Sequence, residues 1–273
     1  MDGAIAADPT LEILDAICRN ARSFGMDLSG EELAELAVRF DFGEGELNAI
    51  SKVFDYLAVR HHDAVIETLL KLSRLPLKAP KTFENFDFTR IQGRDAEALG
   101  KLPTLSNLYA RKNLAFIGPG GIGKTHLAQA FGRECCMRGF KTYYLKASEL
   151  RDRLKRASTS GDPARAVGAL VKPSCLIIDE VGRCRFDKPC TDLFFDVIDR
   201  RYEKEGPNAL ILTSNTAVSD WDGFFTGDDT LLCALDRIFD KASVFLMKGT
   251  SYRGRECETY SVETAPTVSK SKH

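Results

Sequence analysis

The nine residues GPGGIGKTH at 118–126 hold four glycines and a proline, and they end on a cation, a hydroxyl and an imidazole. Gly118, Gly123, Lys124 and Thr125 satisfy the spacing G-x-x-x-x-G-K-T, between the apolar run NLAFIG (113–118) and the helical stretch HLAQAFGRECCMRG. A strand, a glycine-rich turn and a helix in that order aim several backbone N–H groups and a helix N-terminus at one anion. The passage predicts a phosphate cradle, and a cradle of this kind requires a parallel sheet with crossover helices.

The rest of the chain after residue 88 agrees with that requirement. Four further apolar runs, KTYYLK (141–146), SCLIID (174–179), NALILTSN (208–215) and ASVFLMKG (242–249), are separated by helical stretches. Five such runs describe a five-stranded parallel sheet with helices on both faces. In the helix TDLFFDVIDRRY, Leu193, Phe194, Val197 and Ile198 share one face, while Asp192, Asp196 and Asp199 point elsewhere.

The chemistry follows from what stands at the strand ends. The cradle is assigned to Gly118, Pro119, Gly120, Gly121, Ile122, Gly123, Lys124, Thr125 and His126, with Lys124 meeting the terminal phosphates of ATP and Thr125 placing its hydroxyl on Mg²⁺. His126 itself is expected to pack or cap. Asp179 closes a buried strand in CLIIDE and is the expected second Mg²⁺ partner; Glu180 beside it is placed to deprotonate water. Two adjacent carboxylates favour a hydrolase over a small-molecule kinase, and a kinase would also need an arginine-rich lid for which the sequence has no segment. Asn215 leaves its strand beside the γ-phosphate and is read as a sensor of it. Arg237, just before the last strand, could reach the nucleotide of a neighbouring subunit, and Arg253, after that strand, the phosphate of its own.

From Leu11 to Leu75 apolar residues recur at helical spacing, clearest in Leu47, Ile50, Val53, Phe54 and Leu57, and Ser29 with Glu32 forms the pattern of a capping box. Residues 1–75 are therefore expected as a helical, partner-binding region, 76–88 as a linker marked by Pro76 and Pro80, 89–260 as the ATPase domain and 261–273 as a frayed polar tail. Residues 1–80 carry 8 Lys+Arg against 14 Asp+Glu, and residues 81–273 carry 30 against 25. A mildly basic body beside an acidic leader suits a body that faces DNA and a leader that faces protein. The helix bearing Arg151, Arg153, Lys155 and Arg156 is the candidate DNA-facing element. The eight cysteines show no C-x-x-C pair and no zinc spacing, the first twenty residues lack the order of a signal peptide, and no apolar run is long enough to span a bilayer. The expectation is a cytoplasmic protein with no membrane partner.

Taken in order, KTFENFDF (81–88), GPGGIGKTHLA, SELRDRLKRA, LIIDEVG, FDVIDRRYE, TSN with Trp221 shortly after it, LDR and SYRGR (251–255) resemble the IstB/DnaC family of AAA+ ATPases, transposition helpers and helicase loaders, and are closest to the IstB branch. The resemblance implies an AAA+ core with a truncated or absent lid, Asn215 as first sensor, Arg237 as a finger acting in trans and Arg253 as second sensor. It also implies a homo-oligomer that forms with ATP on double-stranded or single-stranded DNA, and a leader that recruits a transposase or, alternatively, a replicative helicase. The segment VGRCRFDKP departs from the more aliphatic stretch usual after LIIDE.

Overall fold

The computed structural model describes residues 9–93, 95–226, 228–249 and 251. Three helices come first: α1 (Pro9–Ser23), α2 (Gly30–Arg39) and α3 (Glu44–Leu72). Two short helices, α4 (Ala96–Gly100) and α5 (Ser106–Tyr109), lead into the body. The body then runs β1 (Asn113–Ile117), α6 (Lys124–Met137), β2 (Thr142–Lys146), α7 (Ala147–Ser160), α8 (Pro163–Val171), β3 (Cys175–Val181), α9 (Lys188–Glu203), β4 (Ala209–Ser214), α10 (Asp228–Asp240) and β5 (Ala242–Leu246). Four of the five strands fall within runs expected from the sequence, and β3 extends two residues past the end of its run, through Glu180 to Val181.

All strand pairs are parallel, in the order β2-β3-β4-β1-β5. Strands β1 and β2 are consecutive in sequence, yet β3 and β4 lie between them. The connections after β1 and after β4 therefore diverge, and the carboxyl ends of these strands bound a crevice of the kind that holds ligands in open α/β sheets. Alternation along the central strands divides the interior in two. Cys175 and Ile177 of β3 and Ala209 and Ile211 of β4 pack with Phe116, Leu127 and Phe131 on one face. Leu176, Ile178, Leu210 and Leu212 pack with Leu150, Val197 and Trp221 on the other. With both faces covered, β4 is buried at every position.

The leader has a small core of its own, formed by Leu14, Ile17, Cys18, Leu33 and Leu47. The capping box at Ser29 is present: the Glu32 amide donates to Ser29 Oγ at 3.1 Å and the Ser29 amide to Glu32 Oε2 at 2.9 Å. Of the apolar face expected on α3, Leu47 is buried and Ile50 and Phe54 are half-buried, but Val53 and Leu57 are exposed, together with Tyr56 and Val59. Helices α1 and α2 are too short to cover a helix of 29 residues, which extends about 43 Å at the usual rise. Its far end is fixed to the body: the Tyr144 amide donates to the Ser73 carbonyl at 2.8 Å, and Leu75 is buried in the main core. The passage expected as a linker also packs on the body, since Phe83 and Phe86 are buried there.

A buried arginine closes the underside of the sheet. Arg201, 3% exposed, donates to the carbonyls of Leu170, Val171, Pro173, Ser174 and Ala209, and Lys204 adds bonds to Val171, Lys172 and Pro173. These carbonyls include the last ones of α8, which carry the negative end of the helix dipole and lack partners within the helix. Burial pushes the Arg201 pKa down to about 10, which leaves the guanidinium charged at neutral pH. Replacing Arg201 by Ala should cost about 3 kcal/mol of unfolding free energy, because it orphans several buried carbonyls. Chemical denaturation checks this, and a loss below about 1 kcal/mol would show that water satisfies them instead.

Candidate functional site

The loop after β1 is stitched to both flanking strands: the Gly118 amide donates to the Ser214 carbonyl at 3.1 Å, and the Met247 amide to the Ile117 carbonyl at 2.7 Å. Close approach explains two of its glycines. A Cβ on Gly118 (φ 153°) would stand 2.0 Å from the Met247 oxygen, and one on Gly123 (φ 96°) would stand 2.7 Å from a ring carbon of Phe86. Gly123 is also the residue from which α6 starts, so the helix N-terminus opens directly on the loop. Lys124 is buried and donates through Nζ to the carbonyls of Gly118 (2.7 Å) and Pro119 (2.6 Å), which holds its ammonium inside the curve of the loop.

Asp179, at 2% exposure, gathers three hydroxyls from three elements. Thr125 of α6 donates to its Oδ1 at 2.8 Å, Thr213 of β4 donates to the same oxygen, and Tyr144 of β2 donates to Oδ2 at 2.7 Å. Burial, reinforced by the charge of Asp179, raises the Tyr144 pKa well above the usual phenol value, so its proton stays on as a donor. Thr213 Oγ1 in turn accepts the Glu180 amide at 3.0 Å.

Successive side chains of a regular strand point to opposite faces, yet Asp179 holds Thr125 and Glu180 borders the same cavity as Thr125. The pairing of β3 with β4 shifts register between Ile178 and Val181, and Glu180 takes φ 62°, the left-handed region. The irregularity re-aims the second carboxylate, as bulges beside active sites do. Glu180 then contacts Arg183 Nη1 at 2.7 Å and Lys146 Nζ at 3.5 Å.

Beside this network lies a cavity of about 870 Å³, whose lining includes Lys124, Thr125, Thr213, Glu180, Arg183 and Asn215. Asn215 stands at the exit of β4 and is exposed. His126 also borders the cavity, with Nε2 2.8 Å from the Thr82 carbonyl and its ring 5.2 Å from that of Phe86, edge to face. Burial lowers its pKa, which suits a neutral packing residue. On the other side of the loop, Ile122 borders a second cavity of about 660 Å³ with Ile91, Leu99, Phe245 and Met247, and Arg90 borders both. The residues fit a nucleoside triphosphate with a divalent cation: the glycine-rich loop opens on a helix N-terminus beside the Lys124 ammonium, and a hydroxyl and a carboxylate stand in contact where a cation would be held.

Arg237 lies elsewhere. It borders a separate cavity with Asn113, Asn208 and Lys241, at the amino ends of β1 and β4. Arg253 lies outside the described residues, as does the tail. On α7, Arg151 pairs with Asp152 and Arg153 donates to the Tyr143 hydroxyl, while Lys155 and Arg156 are exposed. Cys135, Cys136, Cys184 and Cys190 are free thiols. Among the described residues there is no cluster of His, Cys, Asp and Glu able to hold a metal, and no helix is long and apolar enough to cross a membrane.

Sequence reasoning missed Tyr144, Thr213, Arg183 and Phe86. KTYYLK and NALILTSN were read as strands, and the hydroxyls within them carried no motif. Strand alternation was the available signal for Thr213, which shares a face with Asn215 two residues on.

The strand order and the loop-to-helix cradle place the body among P-loop proteins of the AAA+ type, and a solved structure titled DnaI shares this fold, with a TM-score of 0.51 at 19% identity over 67% of this chain and 93% of that one. The chain belongs to the family of IstB-like ATP-binding proteins, which matches residues 43–259. It is 43% identical to the ATP-binding protein of insertion sequence IS5376 from Geobacillus stearothermophilus, over 70% of this chain and 74% of the relative. It is 35% identical to that of insertion sequence IS21 from Pseudomonas aeruginosa, over 76% of each.

Thr213 joins Asp179 to the Glu180 amide, so Thr213→Val should leave nucleotide binding within about threefold while cutting turnover by roughly ten- to a hundredfold. Steady-state kinetics with direct nucleotide titration separates the two, and unchanged turnover would show that the network is dispensable.

Proposed function

We propose that this protein binds and hydrolyses ATP, assembles with ATP into an oligomer on DNA, and in that state recruits or stimulates a transposase. The observation that carries the reading is that Glu180 lines the cavity of the glycine-rich loop while its neighbour Asp179 holds Thr125, which lines the same cavity. Binding alone would need only the loop and Lys124. A carboxylate on the wall of that cavity, next to the acid that holds Thr125, suits activation of water.

In this reading the loop amides and Lys124 grip the terminal phosphates of ATP. Thr125 and Asp179 would hold Mg²⁺, which when bound neutralises charge on the phosphate oxygens. Glu180, placed by the Thr213 hydroxyl, orients water and accepts its proton, and Asn215 donates to the γ-phosphate. The apolar cavity beyond Ile122 receives the base. Arg253 reaches the phosphate of its own subunit.

Arg237 supports the oligomer. It stands at the amino ends of strands whose carboxyl ends hold the loop, and strands of five or six residues separate those edges by about 17–20 Å. That gap is longer than an arginine side chain, so any nucleotide that Arg237 contacts is that of a second copy. DNA binding is supported by the excess of basic residues after residue 80 and by Lys155 and Arg156 exposed on α7. A transposase is favoured over a replicative helicase because both relatives are named as proteins of insertion sequences. The acidic leader, with Val53, Tyr56, Leu57 and Val59 exposed along α3, is the surface we assign to that partner. The reading also places the protein in the cytoplasm.

Three variants separate the steps. Lys124→Ala should lose nucleotide binding, Glu180→Gln should bind ATP and stall, and Arg237→Ala should bind normally yet fail to turn over in the assembled state; turnover falls by on the order of a thousandfold when a trans arginine is lost. Full turnover by assembled Arg237→Ala would rule out its trans role. For the leader, replacing Val53, Tyr56 and Leu57 together by Ser should abolish capture of an insertion-sequence transposase and spare ATP binding. Undiminished capture in a pulldown would move the partner surface elsewhere.

A further inference from the structure

An arginine that acts on another subunit's phosphate must be held in one direction, since its side chain is long and free to rotate. The described residues supply such a holder. Along α9, Asp192 pairs with Lys188 and Asp196 with Arg200, each four residues away on the same helix. Asp199 breaks this pattern. It reaches across to α10, where its Oδ1 stands 3.0 Å from Arg237 Nε. Phe195, one turn earlier on the same face of α9, lies under the guanidinium with its ring centroid 5.1 Å from the central carbon.

The geometry of the pair fits a mount better than a simple surface ion pair. Both side chains are only about one-third exposed, at 34% each, so the contact is partly shielded from solvent. It is made through Nε, which leaves the outer edge of the guanidinium, with its two terminal nitrogens, for a fork onto phosphate oxygens. Arg111 and Lys241 border the same cavity and would repel an unanchored guanidinium. A carboxylate at Nε offsets that repulsion.

We propose that Asp199, backed by the Phe195 ring, is a positioning residue that fixes Arg237 for insertion into the nucleotide site of a neighbouring copy. This rests on the reading of Arg237 as a trans-acting group. In this role Asp199 contacts no reacting atom, and its effect is exerted through the direction of one guanidinium.

The test uses the full chain with ATP, Mg²⁺ and duplex DNA of random sequence, with turnover followed across protein concentration. Asp199→Asn should lower kcat of the assembled protein by about ten- to a hundredfold, the size expected when a reacting group is misplaced by roughly 1 Å. KM for ATP and the thermal midpoint should stay at their wild-type values, Phe195→Leu should have a smaller effect of the same kind, and Asp199→Glu should recover part of the loss. Mixed assemblies provide a readout that a structural role would not move. Asp199→Asn mixed with Glu180→Gln should regain turnover, since one copy keeps the base and the other a mounted arginine; Asp199→Asn mixed with Arg237→Ala should not. Wild-type kcat in Asp199→Asn while Arg237→Ala is inactive would overturn the mount and leave the trans role standing. Full turnover in Arg237→Ala would remove the trans role itself, and the proposal with it. A lowered thermal midpoint together with no recovery in the first mixture would make Asp199 a structural residue and would also overturn it.

Discussion

The carboxylate of Asp179 is the point on which the site turns. A carboxylate taken out of water is costly unless hydrogen bonds replace its hydration, and here three hydroxyls do so from α6, β2 and β4. Those elements are brought together only by the order β2-β3-β4-β1-β5, in which β3 lies between two of the donors' strands. The requirement of one buried acid thus couples the arrangement of the sheet to the position of Thr125 at the mouth of the glycine-rich loop.

Beside it, Glu180 carries local backbone strain on the wall of the cavity. A non-glycine residue in the left-handed region costs about 1–3 kcal/mol, and the structure offsets that cost with the amide bond to Thr213 and the contacts to Arg183 and Lys146. Without the register shift, alternation would send the two neighbouring carboxylates to opposite faces of the sheet. Arg183 belongs to VGRCRFDKP, the segment that departs from the aliphatic pattern of the resembling family, and the departure places a guanidinium on the Glu180 carboxylate.

The leader meets the body at the edge strand β2. The carbonyl of Ser73 accepts the amide of Tyr144, the same residue whose hydroxyl reaches Asp179. This contact occupies part of an otherwise open sheet edge and sets the end of α3 one residue's width from the site's hydrogen-bond network. Upstream of that joint, much of α3 keeps apolar side chains in solvent, which the small core of α1 and α2 does not reach.

Much of this was legible from residue order alone. The spacing of Gly118, Gly123, Lys124 and Thr125, the five apolar runs, the capping box at Ser29 and the acids near the end of β3 are local features, written in backbone freedom and in periods of 2 and 3.6 residues. The partners of those features were not legible: Tyr144 and Thr213 on Asp179, Phe86 against Gly123, Arg201 beneath α8 and Asp199 on Arg237 join residues far apart in the chain. Nothing in a strand's own composition says which strand lies next to it, because pairing in a parallel sheet is decided by how the helices between the strands pack on its faces. The sequence by itself determined the cradle and the alternation of elements; the tertiary structure decided which hydroxyls, rings and carboxylates meet around it, since only the packed sheet brings the ends of non-consecutive strands to one edge.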